Sequence, residues 1–374
     1  MAFLEKPILL HRHNVVIRSA VADDAEALVD YFIAVTAQSD NLTFEPDETA
    51  MFADEAMFLE HLETSPNALA LVAEHEGAIV GSLTFIGGTR PKVKRIGEFG
   101  ITVERTWWDK GIGSALMRSL VTWADKAQIG KIHLQVRTDN PRAIALYRKF
   151  GFVDEAVLRH VLRIRGEYVD LLWMGLALGD ASSEESDVSY ANAAVSDVAP
   201  QRIALQGPVA IRELQPGDAQ AVLDYFDQIV TETDYLQLGT EGLQFSRTEE
   251  QAILSQYLQD ERKLYIGAFT HEGTLVGTLS FAAGNRRRTC HAGEFSLTVL
   301  QSFQGHGIGT ALLQRLVNWA SQVGIHRIGL EVRAENTRAI ALYERCGFVT
   351  EGRVGRTMYS NGSFHDSIVM ALLI

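Results

Sequence analysis

The sequence predicts an α/β protein built from two copies of one domain, each a mixed β-sheet covered by helices. Three observations predict it. The chain matches itself over most of each half, strand-like and helix-like apolar periods follow the same order in both copies, and each copy carries a glycine-rich strand-to-helix junction. Laying Leu71–Leu178 on Gly267–Ile374, a shift of 196 positions without a gap, leaves about 40% of the pairs identical. His75-Glu76-Gly77 meets His271-Glu272-Gly273, Gly97-Glu98-Phe99 meets Gly293-Glu294-Phe295, and Arg142 to Tyr147 meets Arg338 to Tyr343. Ahead of residue 43 the shift is 194, pairing Ile17-Arg18 with Ile211-Arg212. A repeat this long is a duplicated domain, since solenoid units run about 20–50 residues.

Composition agrees with two ordinary domains. The 374 residues suit two units of about 150–180. With 47% apolar and 22% charged residues, each half can bury a core without disulfides or metal. Two cysteines, Cys290 and Cys346, give neither a disulfide framework nor a metal-ligand cluster, so no metal and a cytoplasmic location are expected. No stretch is long and apolar enough for a signal sequence or a membrane span. The net charge of −13 speaks against nucleic acid as a partner. It is compatible with cationic amine acceptors and equally with solubility alone. The expected boundaries are 1–178 for domain one, 179–207 for a flexible Ala-, Ser- and Asp-rich linker, and 208–374 for domain two. The two copies could pack as a pseudo-dimer, and a homo-oligomer is also open.

Each copy reads in the same order. An extended opening (15–19; 209–213) leads through Asp23-Asp24 or Gly217-Asp218 into a helix carrying Tyr31 or Tyr225. A second amphipathic helix lies near 54–62 and 249–258, followed by a hairpin, 69–75 with 79–85 and 264–271 with 274–281. A strand at 97–103 or 293–299 runs into the glycine loop and a helix from Gly113 or Gly309. Strand 132–137 or 328–333 then leads to helix 141–150 or 337–346. A closing hairpin turns at Arg165-Gly166 and Asn361-Gly362.

The loop Gln304-Gly305-His306-Gly307-Ile308-Gly309-Thr310 places glycines where the backbone turns sharply and approaches a ligand. The first amides of the following helix lack helical partners and form an anion site suited to a diphosphate, although a turn made only for packing is the alternative. It is neither a dinucleotide fingerprint, since position 312 is Leu, nor a Walker loop, since the lysine is missing.

The pattern Gln304-x-x-Gly307-x-Gly309 resembles the acyl-CoA diphosphate motif of the GNAT N-acetyltransferase superfamily. The run Asn336-x-x-Ala339-x-x-Leu342-Tyr343-x-x-x-Gly347-Phe348 resembles its second signature. Copy one carries Trp108-Asp109-Lys110-Gly111-Ile112-Gly113-Ser114, then Asn140 through Tyr147 to Gly151-Phe152. The resemblance covers nearly all of both copies and implies two tandem GNAT folds, each with a splayed sheet. It also implies acetyl-CoA as co-substrate and a small-molecule or peptide amine as acceptor. Pantetheine would lie in the splay, against the main chain of Ile101-Thr102-Val103 and Leu297-Thr298-Val299. Asn140 and Asn336 would steady the cofactor arm, or serve simply as helix caps.

Acetyl transfer needs a neutral amine, an oxyanion donor and an acid for the leaving thiolate. By the same resemblance Tyr147 and Tyr343 are the acids, although their helical spacing with Ala143, Leu146 and Phe150 also suits core packing. Glu98 and Glu294 resemble the glutamate that deprotonates the acceptor amine; ion pairs with Arg90 and Arg286 are the alternative reading. Asp109 would repel a diphosphate unless turned away, and Lys110 could offset it. Either both copies bind CoA and work, or one is silent; a pure acyl-CoA-binding module is a further alternative. Acid-rich stretches at 43–64 and 231–261 would favour acceptors with an additional positive charge, or would merely be solvated helix faces.

Overall fold

The computed structural model describes residues 4, 6–43, 45, 48, 54–179 and 209–374, which form two compact units, one of copy one with Arg286–Arg288 and Val354–Asp366 and one of the rest of copy two. The expected linker lies, except for Gly179, outside the described residues, as does Asp47 of the acid-rich stretch.

Copy one runs β1 (Ile8–Leu10), β2 (Val15–Ser19), α1 (Ala25–Gln38), α2 (Glu55–Thr64), β3 (Ala68–His75), β4 (Ala78–Gly87) and β5 (Ile96–Val103). It continues with α3 (Ile112–Lys126), β6 (Lys131–Arg137), α4 (Pro141–Lys149), β7 (Val153–Ile164) and β8 (Glu167–Ala177). Its sheet order is β1-β2-β3-β4-β5-β6-β8-β7. The short β1, paired antiparallel to β2 through Ile8↔Ile17, was not expected; three residues carry too little periodicity to announce a strand.

Copy two repeats the plan without that strand. It runs β9 (Ala210–Glu213), α5 (Ala219–Glu232), α6 (Arg247–Gln259), β10 (Lys263–Phe269), β11 (Leu275–Ala283), β12 (Ala292–Val299) and α7 (Ile308–Val323). Then come β13 (Arg327–Arg333), α8 (Thr337–Arg345), β14 (Val349–Ser360) and β15 (Ser363–Leu373), in the order β9-β10-β11-β12-β13-β15-β14. No helix among the described residues is long and apolar enough to cross a membrane.

The apolar stripe of α3, from Ile112 through Leu116 and Leu120 to Trp123, is buried on the sheet, with Trp123 edge-on to Phe85 at 5.4 Å. In copy two Trp319 meets Phe281 in the same way at 5.6 Å, so both tryptophans anchor packing. This contact explains the repeated Gly-Glu-Phe. A Cβ at Gly97 would stand 2.3 Å from the Phe85 ring, and one at Gly293 2.5 Å from the Phe281 ring. Only glycine lets the aromatic side chain cross that strand. The closing turns have φ of 51° and 90° at Arg165-Gly166, and 50° and 77° at Asn361-Gly362, both residues left-handed as a two-residue hairpin turn requires.

A buried ion pair recurs at equivalent places: Lys131 with Glu155, and Arg327 with Glu351. A second recurring device opens each copy. Arg18 grips Asp24 and Arg212 grips Asp218, and each aspartate also accepts a backbone amide, from Val21 or Gln215, at the start of the first helix.

Candidate active site

The site begins where two strands part. β5 runs parallel to β6 only through Ile96↔Lys131, Gly97↔Ile132 and Glu98↔His133. In copy two the ladder between β12 and β13 likewise ends at Glu294↔Gly329. Beyond these pairs, Phe99–Val103 and Phe295–Val299 form no ladder on that edge, which leaves the expected motif strands Ile101-Thr102-Val103 and Leu297-Thr298-Val299 beside an open wedge.

Strand alternation then sorts the catalytic candidates. Thr102 Oγ accepts the Tyr31 hydroxyl of α1 at 2.9 Å, so Glu98, two pleats earlier, shares the face turned to the first helices. Phe99 points the other way and meets Tyr147 of α4 edge-on at 5.7 Å. Copy two reproduces both contacts, Tyr225 to Thr298 at 2.9 Å and Phe295 to Tyr343 at 5.7 Å. Each copy therefore holds its glutamate and its tyrosine on opposite faces of one strand, with the glutamate at the last paired position before the wedge.

The glycine loop caps α3 and α7 with Gly111 (φ 84°) and Gly307 (φ 81°), and neither cap offers a side-chain acceptor. The first helical bonds close from Ala115 to Gly111 and from Ala311 to Gly307. The amides of Ile112, Gly113 and Ser114, and of Ile308, Gly309 and Thr310, are thus left without helical partners, which is the makeup of an anion site. A Cβ on Gly309 would meet Leu342 Cδ2 at 3.0 Å, so this glycine also sets how closely α7 and α8 pack.

The two loops reach one backbone by different side chains. Trp108 donates its indole N–H to the Val103 carbonyl at 2.7 Å, where Gln304 donates its amide to the Val299 carbonyl at 2.9 Å. Gly305 has φ 86° and its counterpart Asp109 has φ 61°, a left-handed position that aspartate tolerates. Asp109 is turned onto Arg142 at 2.8 Å, and Arg142 also stacks over Trp108 at 4.6 Å. Lys110 instead lies over Trp107 at 4.1 Å, so the charge on Asp109 is met by Arg142 and not by Lys110. In copy two Arg338 donates to Gln304 Oε1 at 2.7 Å, and His306 Nδ1 lies 3.1 Å from the Phe303 carbonyl. The arginine pair was missed by sequence reasoning, although its identity in both copies was visible.

A cavity of about 290 Å³ opens in copy one. It gathers Ile101, Thr102, Val103, Trp108, Asp109, Gly111, Ile112, Gly113, Ser114, Asn140 and Tyr147, but neither Lys110 nor Glu98. Its opposite wall comes from the end of α1 and the loop after it: Val35, Ser39, Asn41 and Leu42. Asn140 and Asn336 cap their helices, accepting the Ala143 and Ala339 amides at 3.2 Å. Two of the acidic residues expected to face an acceptor are engaged locally, Glu63 accepting the Ala22 amide and Glu249 capping its own helix at Ser246.

Burial sets the proton affinities. Tyr147 and Tyr343 are 7% and 6% exposed, and burial raises both phenols, Tyr343 to about 12 and Tyr147 beyond. Both are therefore firmly protonated at neutral pH. Glu294 keeps an exposed surface although neighbouring atoms crowd its carboxyl. Burial pushes its pKa up, Arg327 pulls it back, and Glu351 adds to the rise. Beside the fork in copy one, burial and then Lys131 hold His133 down at about 4, a neutral imidazole stacked on Trp173 at 5.2 Å, where copy two has only Gly329.

The model of the acetyltransferase (GNAT) family matches the chain twice, at residues 34–152 and 231–348, together more than half of its length. Among curated proteins, the L-amino acid N-acetyltransferase AaaT of Escherichia coli (strain K12) is 37% identical over 119 residues, 32% of this chain and 74% of the relative. The spermidine N(1)-acetyltransferase of Vibrio cholerae is 24% identical over 170 residues, 45% of this chain and 95% of the relative. Among solved structures, a GNAT-family acetyltransferase from Streptococcus pneumoniae is 30% identical with a TM-score of 0.43, covering 44% of this chain and 99% of that one.

Proposed function

The chain belongs to the GNAT acetyltransferase family and is an N-acetyltransferase, and from that premise we propose that both copies bind acetyl-CoA and pass its acetyl group directly to a primary amine of a small molecule or peptide. The observation that carries this reading is the repeated fork: a strand that leaves its neighbour just after a glutamate, with a buried tyrosine on its other face and an uncapped helix N-terminus at its end.

Acetyl-CoA supplies the activated carbonyl and a thiolate leaving group. The amides of Ile112–Ser114 and Ile308–Thr310 suit its diphosphate, with Arg142 and Arg338 beside them to share the charge. The open edges of Ile101–Val103 and Leu297–Val299 offer main-chain partners to the pantetheine amides. Glu294, and Glu98 at its equivalent place, take the amine proton; a carboxyl raised above its usual range is a better base near neutrality. Tyr147 and Tyr343 hold their protons until the thiolate leaves, and their raised phenols keep that proton available at every physiological pH. Because base and acid flank one strand from opposite faces, the amine arrives on one side and the thiol departs on the other. That arrangement suits direct attack without an acyl-enzyme.

The test is release of free CoA thiol from acetyl-CoA with a panel of amines: L-amino acids, polyamines and peptides with free N-termini. Thermal stabilisation by acetyl-CoA is expected as well, about 2.7 kcal/mol at a hundredfold excess over Kd. Stabilisation without thiol release from any amine would leave an acyl-CoA-binding module. No stabilisation at millimolar acetyl-CoA would sink the reading.

A further inference from the structure

One guanidinium in each copy ties the loop after the first helix to the corner that carries the tyrosine-bearing helix. Arg137 ends β6 and Arg333 ends β13, just past the wedge, and both are largely buried, with side chains 12% and 6% exposed. Arg137 donates Nε to Asp139 at 2.8 Å and Nη2 to the same carboxylate at 2.6 Å. Its remaining Nη1 reaches the Asp40 carbonyl at 2.7 Å, in the loop after α1. Arg333 donates Nε to Glu335 at 3.0 Å, lies 3.8 Å from the Asp234 carboxylate in the loop after α5, and sits 5.5 Å over the ring of Tyr235.

The partners recur as well. Asp139 and Glu335 directly precede the cap residues Asn140 and Asn336, so they hold the corner from which the helix bearing Tyr147 or Tyr343 departs. Ser39-Asp40-Asn41-Leu42 matches Thr233-Asp234-Tyr235-Leu236, and in copy one Ser39, Asn41 and Leu42 line the cavity across from Asn140 and Tyr147. In both copies the arginine joins the corner acid to the loop after the first helix, through the Asp40 carbonyl in copy one and toward the Asp234 carboxylate in copy two. A planar fork with five donors suits this task, because it binds one carboxylate with two N–H groups and keeps others for the second wall.

We propose that Arg137 and Arg333 are positioning residues that set the spacing between the loop after the first helix and the tyrosine-bearing corner, two walls of the cavity that in copy one also gathers the glycine loop, and so select the acceptor while the main chain proposed to meet CoA, at 101–103 and 112–114, stays in place. The proposal deepens the acetyltransferase reading and rests on it. The test uses the full chain with Arg333→Met and Arg333→Lys, and the same changes at Arg137. Copy two is the cleaner case, because Arg165 also holds Asp40 at 2.7 Å in copy one. Hydrogen exchange is followed in 233–236 with acetyl-CoA present, and spermidine serves as the probe amine for steady-state kinetics. In Arg333→Met, exchange in that loop should rise about tenfold while α8 stays protected. The KM for spermidine should rise about tenfold, with the KM for acetyl-CoA within twofold. Arg333→Lys, which keeps charge without the fork, should recover only part. Unchanged loop exchange in Arg333→Met, or an acetyl-CoA KM that rises with that for spermidine, would overturn the proposal. If the unmodified protein leaves spermidine unacetylated, the exchange result alone decides the positioning role, and that failure counts only against spermidine as an acceptor.

Discussion

The two glycine loops hold the same backbone by different chemistry. Copy one pins its loop with an indole N–H from Trp108 and places Asp109 where copy two has Gly305. Copy two does the same with the Gln304 amide. Both end in an uncapped helix N-terminus beside an arginine from the next helix. What is preserved is the donor to one carbonyl and the left-handed backbone, not the residue type. The first helices differ more deeply. Leu62 and Ala70 of copy one fall in one apolar cluster; Ala70 pairs with Thr84 as Tyr265 pairs with Ser280, so the matching positions of copy two are Tyr257 and Tyr265, their rings 5.2 Å apart. Above them Glu250 is buried, its carboxyl raised by desolvation. The glycine-loop side has stayed alike while the first-helix side has diverged, which, on the function proposed above, is the pattern expected of two sites sharing a donor and differing in acceptor.

The largest effect that would sharpen this comparison is on stability. Lys131→Met takes the cation from Glu155 and Arg327→Met takes it from Glu351, and loss of one partner of a buried pair costs about 3–5 kcal/mol. The loss should be larger in copy two, because the Glu351 side chain is fully enclosed and that of Glu155 is not. Four of the five tryptophans lie in copy one and only Trp319 in copy two, so fluorescence-detected denaturation reports mainly the first unit. Hydrogen exchange in β13 reads the second. A smaller loss for Arg327→Met than for Lys131→Met would contradict the burial argument.

Next comes catalysis. With both phenols removed, Tyr147→Phe/Tyr343→Phe should lower kcat by about 10²-fold with acetyl-CoA affinity nearly intact, since only the proton donors are lost. The single variants apportion the activity: a fall confined to Tyr343→Phe would mark copy one as silent. An unchanged rate in the double variant would return both tyrosines to the packing role that their contacts with Phe99 and Phe295 also describe.

Much of this was legible before any coordinates, for physical reasons. Duplication shows as direct identity between the halves, and the glycines at left-handed junctions and the Asn361-Gly362 turn are local signals, written in residues a few positions apart. The acid and base candidates came from resemblance to the family. That they stand on opposite faces of one strand follows from alternation, once Thr102 and Phe99 are seen to touch different helices. The equivalence of Trp108 and Gln304 was hidden, because an indole and an amide look unrelated until both are seen to donate to the same carbonyl. Arg137 and Arg333 were hidden too, because their loop partners lie about a hundred residues away in sequence. Such long-range ties carry no period or spacing to read.

The smallest effect concerns acid. In each copy an arginine grips the aspartate that opens the first helix. Burial alone would raise Asp24, but Arg18 and the Val21 amide outweigh it and hold the carboxyl below its usual value. At Asp218 the grip of Arg212 comes first, burial opposes it, and the Gln215 amide helps. A carboxyl lowered on folding contributes stability that is present above its unfolded value, about 3.9, and is lost as pH falls through the folded one. Both copies should therefore lose this contribution only below about pH 4. The amounts should differ. Arg18 also binds Glu74 at 2.8 Å and is 28% exposed, whereas Arg212 is 47% exposed and more fully screened by water. Asp24→Asn should thus cost about 1 kcal/mol at pH 7 and Asp218→Asn less. Both differences from the unmodified protein should shrink toward pH 3. Denaturation of the two variants between pH 3 and 7 measures this directly. Equal losses in the two copies, or losses that persist at pH 3, would show that the aspartates act as shape-fitting caps and not through their charge.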